Sequence, residues 1–319
     1  MASKDATETV RADAAGIARA AEILREGGLV AVPTETVYGL AARADSAEAV
    51  ARIYEAKGRP SFNPLIVHVS GRREAERLAT LPAATDVVME QCWPGPLTLV
   101  CPLRADANLA PAVTAGLPTV ALRCPSHPVM QALLAACDFP LAAPSANRSG
   151  FVSPTSAAHV LATLDGRIDA VLDDGKKCEA GIESTILAIR DSGAWDELRP
   201  GPVDLEGLYR FLWPRPEPRI GQGDSGIEAP GQLSSHYAPG KPVRLNAEQA
   251  EAGEFLIGFG PVEGDVTLSK DGDLTEAASR LYACLHVAAH SNRSGIAVAP
   301  VPETGIGRAI NDRLRRAAA

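Results

Sequence analysis

Residues 29–69, LVAVPTETVYGLAARADSAEAVARIYEAKGRPSFNPLIVHV, leave this chain few ways to fold. The apolar run Leu29–Val32 stops at Pro33 and opens into Thr34, Glu35, Thr36, Val37 and Tyr38. Ser46 is placed to cap a helical pattern in which Val50, Ile53 and Tyr54 share a face, and Gly58 suits the left-handed position at a helix end. A second apolar run, Leu65–Val69, follows Lys57-Gly-Arg-Pro60 and Asn63-Pro64. The pattern predicts strand, loop, helix, loop and strand within about forty residues.

Hydroxyls crowd the first loop and cations the second, and each admits two readings. The Thr34 and Thr36 hydroxyls either close local turns or bind a small polar ligand at the carboxyl end of a sheet strand. Lys57 and Arg59 either complement the helix dipole or hold a polyphosphate, Arg59 with a planar fork and Lys57 with a point charge.

The remaining chain keeps alternating helical and extended patterns. Helices are expected over residues 14–26, 72–78, 86–92 and 128–137, and one from the Ser153-Pro154 cap to about Leu164. Strands are expected at 97–103, 119–124, 141–144, 170–172 and 184–189. The class is α/β with an open twisted sheet. After Pro200 the composition changes. Trp213-Pro-Arg-Pro-Glu-Pro218 and Ala229-Pro-Gly-Gln-Leu-Ser-Ser-His-Tyr-Ala-Pro239 cannot continue a helix or a central strand. We therefore expect a first domain at 14–203, a Pro/Gly-rich linker at 204–242 and a small second α/β domain at 243–319.

Composition narrows the function classes. Of 319 residues, 31 are basic and 39 acidic, a formal charge of −8, which speaks against a protein devoted to gripping nucleic acid. The six cysteines form no C-x-x-C pair and read as reduced thiols. The N-terminus has no apolar h-region, and no stretch approaches the length of a spanning helix. The expectation is a soluble, cytoplasmic protein.

Familiar fingerprints are weak. No P-loop sequence occurs, and Gly305-x-Gly307 lacks the third glycine of a dinucleotide turn. His286 and His290 have metal-like spacing without a zincin glutamate and read as a surface or interface helix. His68 interrupts an apolar strand, either as a satisfied structural residue or as a ligand group. Arg123 alternates with apolar neighbours, so a buried guanidinium there needs an anionic partner from protein or ligand. Ser145, Asn147, Ser149 and Ser153 make a polar loop, and the helix start at Ser153 suits either capping or phosphate.

Five motifs then occur in order: Pro33-Thr-Glu-Thr-Val-Tyr-Gly-Leu40, Lys57-Gly-Arg-Pro60, Asn63-Pro-Leu-Ile-Val-His68, Pro144-Ser-Ala-Asn147 and Gly181-Ile-Glu-Ser-Thr185. Together they closely resemble the YrdC-like family of threonylcarbamoyl-AMP synthases. Ala229-Pro-Gly…His236-Tyr-Ala-Pro239 and Gly305-Ile-Gly-Arg-Ala-Ile-Asn-Asp-Arg-Leu314 resemble its long, two-domain form. The resemblance implies a YrdC-like mixed sheet with a Rossmann-like second domain. It implies synthesis of threonylcarbamoyl-adenylate and pyrophosphate from L-threonine, bicarbonate and ATP, feeding a separate tRNA threonylcarbamoyl transferase.

By the same carry-over Thr36, His68, Arg123, Ala143 and Ser184 line the threonine pocket. Lys57, Arg59, Asn63, Thr119, Ser145, Asn147, Ser153 and Arg199 hold ATP. The cofactor is Mg2+ carried by the nucleotide, with no metal ligand from the protein. If the linker closes over the site, His236 and Tyr237 do so; the basic residues that some relatives carry before that pair are absent here. No general base is identified. The rival reading is an RNA-binding or ribosome-maturation module on the same fold. Carbamoyl transfer in hydrogenase maturation would need attached modules that this chain lacks.

Overall fold

A computed structural model describes residues 6–190, 192, 194–209, 228–232 and 236–319. The middle of the expected linker, 210–227 and 233–235, lies outside the described residues. The first part of the chain holds β1 (Glu8–Arg11), α1 (Ala14–Arg25), β2 (Val30–Val32), β3 (Gly39–Arg43), α2 (Ala47–Lys57) and β4 (Ile66–His68). It continues through α3 (Arg72–Leu78), α4 (Ala84–Cys92), β5 (Leu97–Pro102), α5 (Pro111–Thr114), β6 (Thr119–Arg123) and α6 (Pro128–Ala136). Then come β7 (Leu141–Ala142), α7 (Ala157–Leu164), β8 (Ala170–Asp173), β9 (Thr185–Ile189), β10 (Trp195–Arg199) and α8 (Leu205–Tyr209). The second part holds β11 (Val243–Arg244), β12 (Glu254–Gly258), β13 (Val266–Thr267), α9 (Leu274–His290), β14 (Gly295–Val298) and α10 (Gly307–Ala317).

The first ten strands form one mixed sheet in the order β1-β8-β2-β3-β7-β4-β6-β5-β9-β10. The last four form a parallel sheet, β11-β14-β12-β13, against which α9 and α10 pack. The α/β class and the two-domain layout thus follow the sequence pattern. Among the described residues no helix is long and apolar enough to cross a membrane, and all six cysteines are free thiols.

Local chemistry explains the site-bearing unit. Ser46 accepts from the Ala49 amide at 3.2 Å and Gly58 closes α2 at φ 59°. Its buried face carries Val50, Ile53 and also Lys57. Along β4 the side chains alternate. Leu65, Val67 and Val69 enter the large core beneath the helices. Ile66 turns to the other face with Val100, Ala121, Ile186 and the linker residue Ala229. His68 and Arg123 lie two residues beyond Ile66 and Ala121 and so share that second face, at matched register on neighbouring strands.

Several local expectations are corrected. Helix α7 starts later than Ser153-Pro154. Ser156 is its cap, accepting from the His159 amide, because the Ser153 hydroxyl is committed elsewhere. The expected linker begins with α8, whose Leu205 and Leu208 bury against the main core. Strands β1, β3, β10 and β13 have no counterpart in the sequence expectations. β1 pairs with β8 far along the chain, and Gly39 of β3 packs where a Cβ would stand 3.2 Å from that of Ala143. The Gly305-Gly307 stretch opens α10, and a Cβ on Gly307 would meet the Pro302 carbonyl.

Candidate active site

The second face of the central sheet, the loop after β2 and the end of the linker enclose a cleft partly open to solvent. The loop after β2 supplies the first wall. The Thr34 hydroxyl accepts from the amides of Thr36 and Val37 and donates to the Val37 carbonyl at 2.7 Å. It therefore closes a local turn. Thr36, 2.9 Å from Thr34 between hydroxyl oxygens, is fully buried and lines the cleft. The turn reading holds for Thr34, and Thr36 faces the cleft.

Strands β4 and β6 supply the floor through His68 and Arg123, and Arg123 has a protein partner. Glu35, from the same loop, accepts from its Nη2 at 2.7 Å, with both side chains buried. Burial would raise the Glu35 carboxyl, but Arg123 outweighs it and holds the carboxyl below its usual range. His68 is driven down to about 3, first by burial and then by Arg123, so it is a neutral imidazole at physiological pH. Thr98, at matched register with Arg123 on β5, bonds Ser184 at 2.7 Å between hydroxyls.

Two further guanidiniums face the same cleft. Arg59 donates to the carbonyls of Asn63 and Pro64 at 3.3 and 2.9 Å. Arg199 donates to the Ser184 carbonyl at 3.0 Å, the Ser184 hydroxyl at 3.1 Å and the Pro230 carbonyl at 3.3 Å. Among the described residues neither makes an ion pair. The nearby carboxylates are engaged, Glu35 by Arg123 and Glu183 by Arg313. Burial brings Arg59 down to about 10, with Arg199 adding to the effect, and leaves it a cation.

The linker forms the roof. Gly231, at φ 84°, brings its backbone so close that a Cβ would lie 3.1 Å from Arg199 side-chain atoms. His236 donates its amide to the Arg316 carbonyl at 3.1 Å, and Tyr237, at φ 63°, is fully buried. Both line the cleft. Burial lowers the His236 imidazole to about 3.

Of the residues assigned from the sequence, Thr36, His68, Arg123, Ala143 and Ser184 meet in the cleft with Arg59, Ser145, Arg199, His236 and Tyr237. Lys57, Asn63, Thr119, Asn147 and Ser153 stand outside its lining. Lys57 lies behind it, donating from Nζ to the carbonyls of Ser145 and Asn147, and burial drives its ammonium pKa well below the ordinary value. Its geometry is that of a clamp on the polar loop. Asn147 braces that loop through the carbonyls of Arg148 and Phe151. The Asn63 carbonyl is held by Tyr54 and Arg59, and Thr119 opens β6 opposite Pro102.

Sequence reasoning missed Glu35, Thr98 and Glu183. The first and third sit inside quoted motifs, and a carboxylate beside a buried arginine or ahead of an apolar strand is a usable signal. Glu183 accepts from Ser153 Oγ at 2.6 Å, Tyr282 at 2.7 Å and Arg313 at 3.1 Å. Burial would raise its pKa, but Arg313 and Arg199, with the Ser153 and Tyr282 bonds, hold it at about 2. A carboxyl lowered in the folded state stabilises the fold above its ordinary pKa of 4.5, and that contribution is lost as pH falls toward about 2. We expect Glu183→Gln to flatten the acid limb of stability across that window in pH-dependent thermal melts. Acid limbs of equal slope would contradict this account.

Residues 22–201 match the Sua5/YciO/YrdC family model, described as telomere recombination. Residues 203–319 match the model described as threonylcarbamoyl-AMP synthase, C-terminal domain. The threonylcarbamoyl-AMP synthase of Bacillus subtilis is 39% identical over 335 aligned positions, covering 98% of this chain and 96% of the relative. The crystal structure of Pyrococcus abyssi Sua5 complexed with L-threonine superposes with a TM-score of 0.88 at 36% identity, over 98% of this chain and 97% of that one. A variant of the same archaeal protein, with a histidine and the following tyrosine changed to alanine, superposes at 0.89 with 34% identity, over 98% and 96%. This chain belongs to the threonylcarbamoyl-AMP synthase family, in its two-domain form.

Proposed function

We propose that this chain joins L-threonine, bicarbonate and ATP into threonylcarbamoyl-adenylate, releasing pyrophosphate and water, and supplies a separate transferase that modifies tRNA. The observation that carries the reading is the pair Arg59 and Arg199. Two buried guanidiniums in one cleft, bonded among the described residues only to neutral groups, leave positive charge that an anionic ligand such as a polyphosphate would complete. Magnesium enters with the nucleotide, as part of the substrate, and the compartment is the cytoplasm.

The roles carried over from the family are compatible with this geometry. Thr36, His68 and Ser184 offer polar atoms on the amino-acid side, and Arg123 can turn from Glu35 toward a substrate carboxylate. Arg59 and Arg199 take the phosphates, and Lys57 holds the Ser145–Asn147 backbone that borders them. The threonine amine must meet bicarbonate or CO2 as a carbamate, whose oxygen then attacks the α-phosphate and displaces pyrophosphate. No step requires a protein nucleophile. His68 and His236, both lowered to about 3, are too weakly basic to keep a proton at neutral pH. Rate enhancement then comes from alignment and from charge stabilisation by the guanidiniums. Pyrophosphate release should require both threonine and bicarbonate in a coupled assay of the full chain. Release that is unaffected by leaving out threonine would overturn the proposal.

A further inference from the structure

Arg313 has no part in the roles above, yet its side chain is 0% exposed and reaches out of the second domain. From α10 its Nε donates to Glu183 Oε2 at 3.1 Å and its Nη2 to the Glu183 carbonyl at 3.4 Å. Nη1 donates to the Pro200 carbonyl at 2.7 Å and to its neighbour Asp312 at 3.0 Å. Glu183 immediately precedes Ser184, and Pro200 immediately follows Arg199. One guanidinium therefore grips the chain beside both members of the bonded Ser184–Arg199 pair. Tyr282 of α9 steadies the same carboxylate from the same domain.

The β9–β10 ladder is interrupted just before Arg199. β10 pairs with β9 regularly as far as Glu197, then shifts register, so that Arg199 stands opposite Ile186 after a break in the ladder. The shift leaves Leu198 unpaired and bends the strand there, so the approach of Arg199 to its ligand side depends also on contacts outside the ladder. A rigid planar fork that bonds two segments at once sets their separation, and a single ammonium cannot do the same.

We propose that Arg313, supported by Tyr282, is a positioning residue for the synthase reaction: the second domain sets the placement of Ser184 and Arg199 toward their ligands. The proposal rests on the synthase reading of the cleft. Misplacement by about 1 Å can cost on the order of a hundredfold in rate, so a contact one residue away from each ligand group has room to matter.

The test uses the full chain in the threonine-dependent pyrophosphate assay. Arg313→Lys keeps a buried cation near Glu183 but loses the fork. It should raise the KM for ATP by about tenfold or more in a chain that still folds, with a urea midpoint lowered by the lost buried bonds. Tyr282→Phe removes one donor and no bulk, and should raise the same KM by a smaller factor. Combining Arg313→Lys with Arg199→Lys should give less than the product of the single effects, because both act through one guanidinium. A folded Arg313→Lys protein with wild-type KM overturns the inference. If that variant fails to fold, wild-type KM in Tyr282→Phe overturns it instead. A wild-type chain without threonine-dependent release overturns the synthase reading, whereas an active wild type with unchanged variants overturns the positioning role alone.

Discussion

Replacing Arg59 by alanine is expected to weaken ATP binding by a factor of about 10²–10³ while leaving the chain folded. The two halves of that expectation have one cause. Burial, with Arg199 nearby, brings the Arg59 guanidinium down to about 10, a desolvation strain on the cation held there. Removing it relieves that strain. The Tyr54 hydroxyl, 3.1 Å from the Asn63 carbonyl and 2.8 Å from that of Ala112, shares its one proton between them, and the Pro64 carbonyl loses its donor. The relief offsets the lost bonds, so the melting temperature should stay close to that of the wild type as nucleotide affinity falls. Calorimetric titration with ATP, set beside a thermal melt, reads both quantities. Unchanged nucleotide affinity would remove Arg59 from the phosphate side of the cleft.

A second large effect is expected at Gly181, where the two domains meet backbone to backbone. Its φ is 69°, and a Cβ would stand 2.4 Å from Ser279 Cα and 2.6 Å from the Ala278 carbonyl in α9. Neither neighbour is a flexible side-chain tip, so the helix itself must move. Gly181→Ala should cost about 2–4 kcal/mol, combining overpacking with left-handed strain, and should depress activity as the adjoining Glu183 shifts. Gly240 supplies the control. It too has a positive φ, 76°, but open space around the position of a Cβ, so Gly240→Ala should cost only about 1 kcal/mol. Equal urea midpoints for the two variants would refute the steric argument.

The part of the fold legible in the sequence was the part written in local patterns. Ser46 and Gly58 bracket α2 by capping chemistry that acts within a few residues. The two-residue alternation around Ile66 and His68 likewise declares a buried face. Lys57 was legible in a further way that went unused: it lies four residues after Ile53, on the helix's buried face, which points its ammonium inward to the polar loop. Ser153 misled because a hydroxyl ahead of proline is a good helix start locally. Only the distant Glu183 reveals that the hydroxyl is taken. Arg313 left no local trace, since its partner lies 130 residues away. β10 was obscured for a related reason: it pairs with β9 through a ladder whose register shifts before Arg199.

The seam between the domains also bears on what kind of module each half is. The family models part the chain between residues 201 and 203, but the apolar packing does not part there. Val37, Val152 and Ile182 belong to the same cluster as Leu281, Ile296 and Ile310. His159 of α7 stacks on His286 of α9 with ring centroids 3.9 Å apart. A fragment cut at the homology boundary would keep all ten strands of the main sheet and still carry a sticky apolar face and an acid stripped of its cation. For recombination or gene fusion the two halves are thus poorly exchangeable. A catalytic half from a free-standing relative could accept this second domain only after changes at residues such as 37, 152, 182 and 183. The unit that heredity can shuffle is larger than the unit that sequence matching delimits.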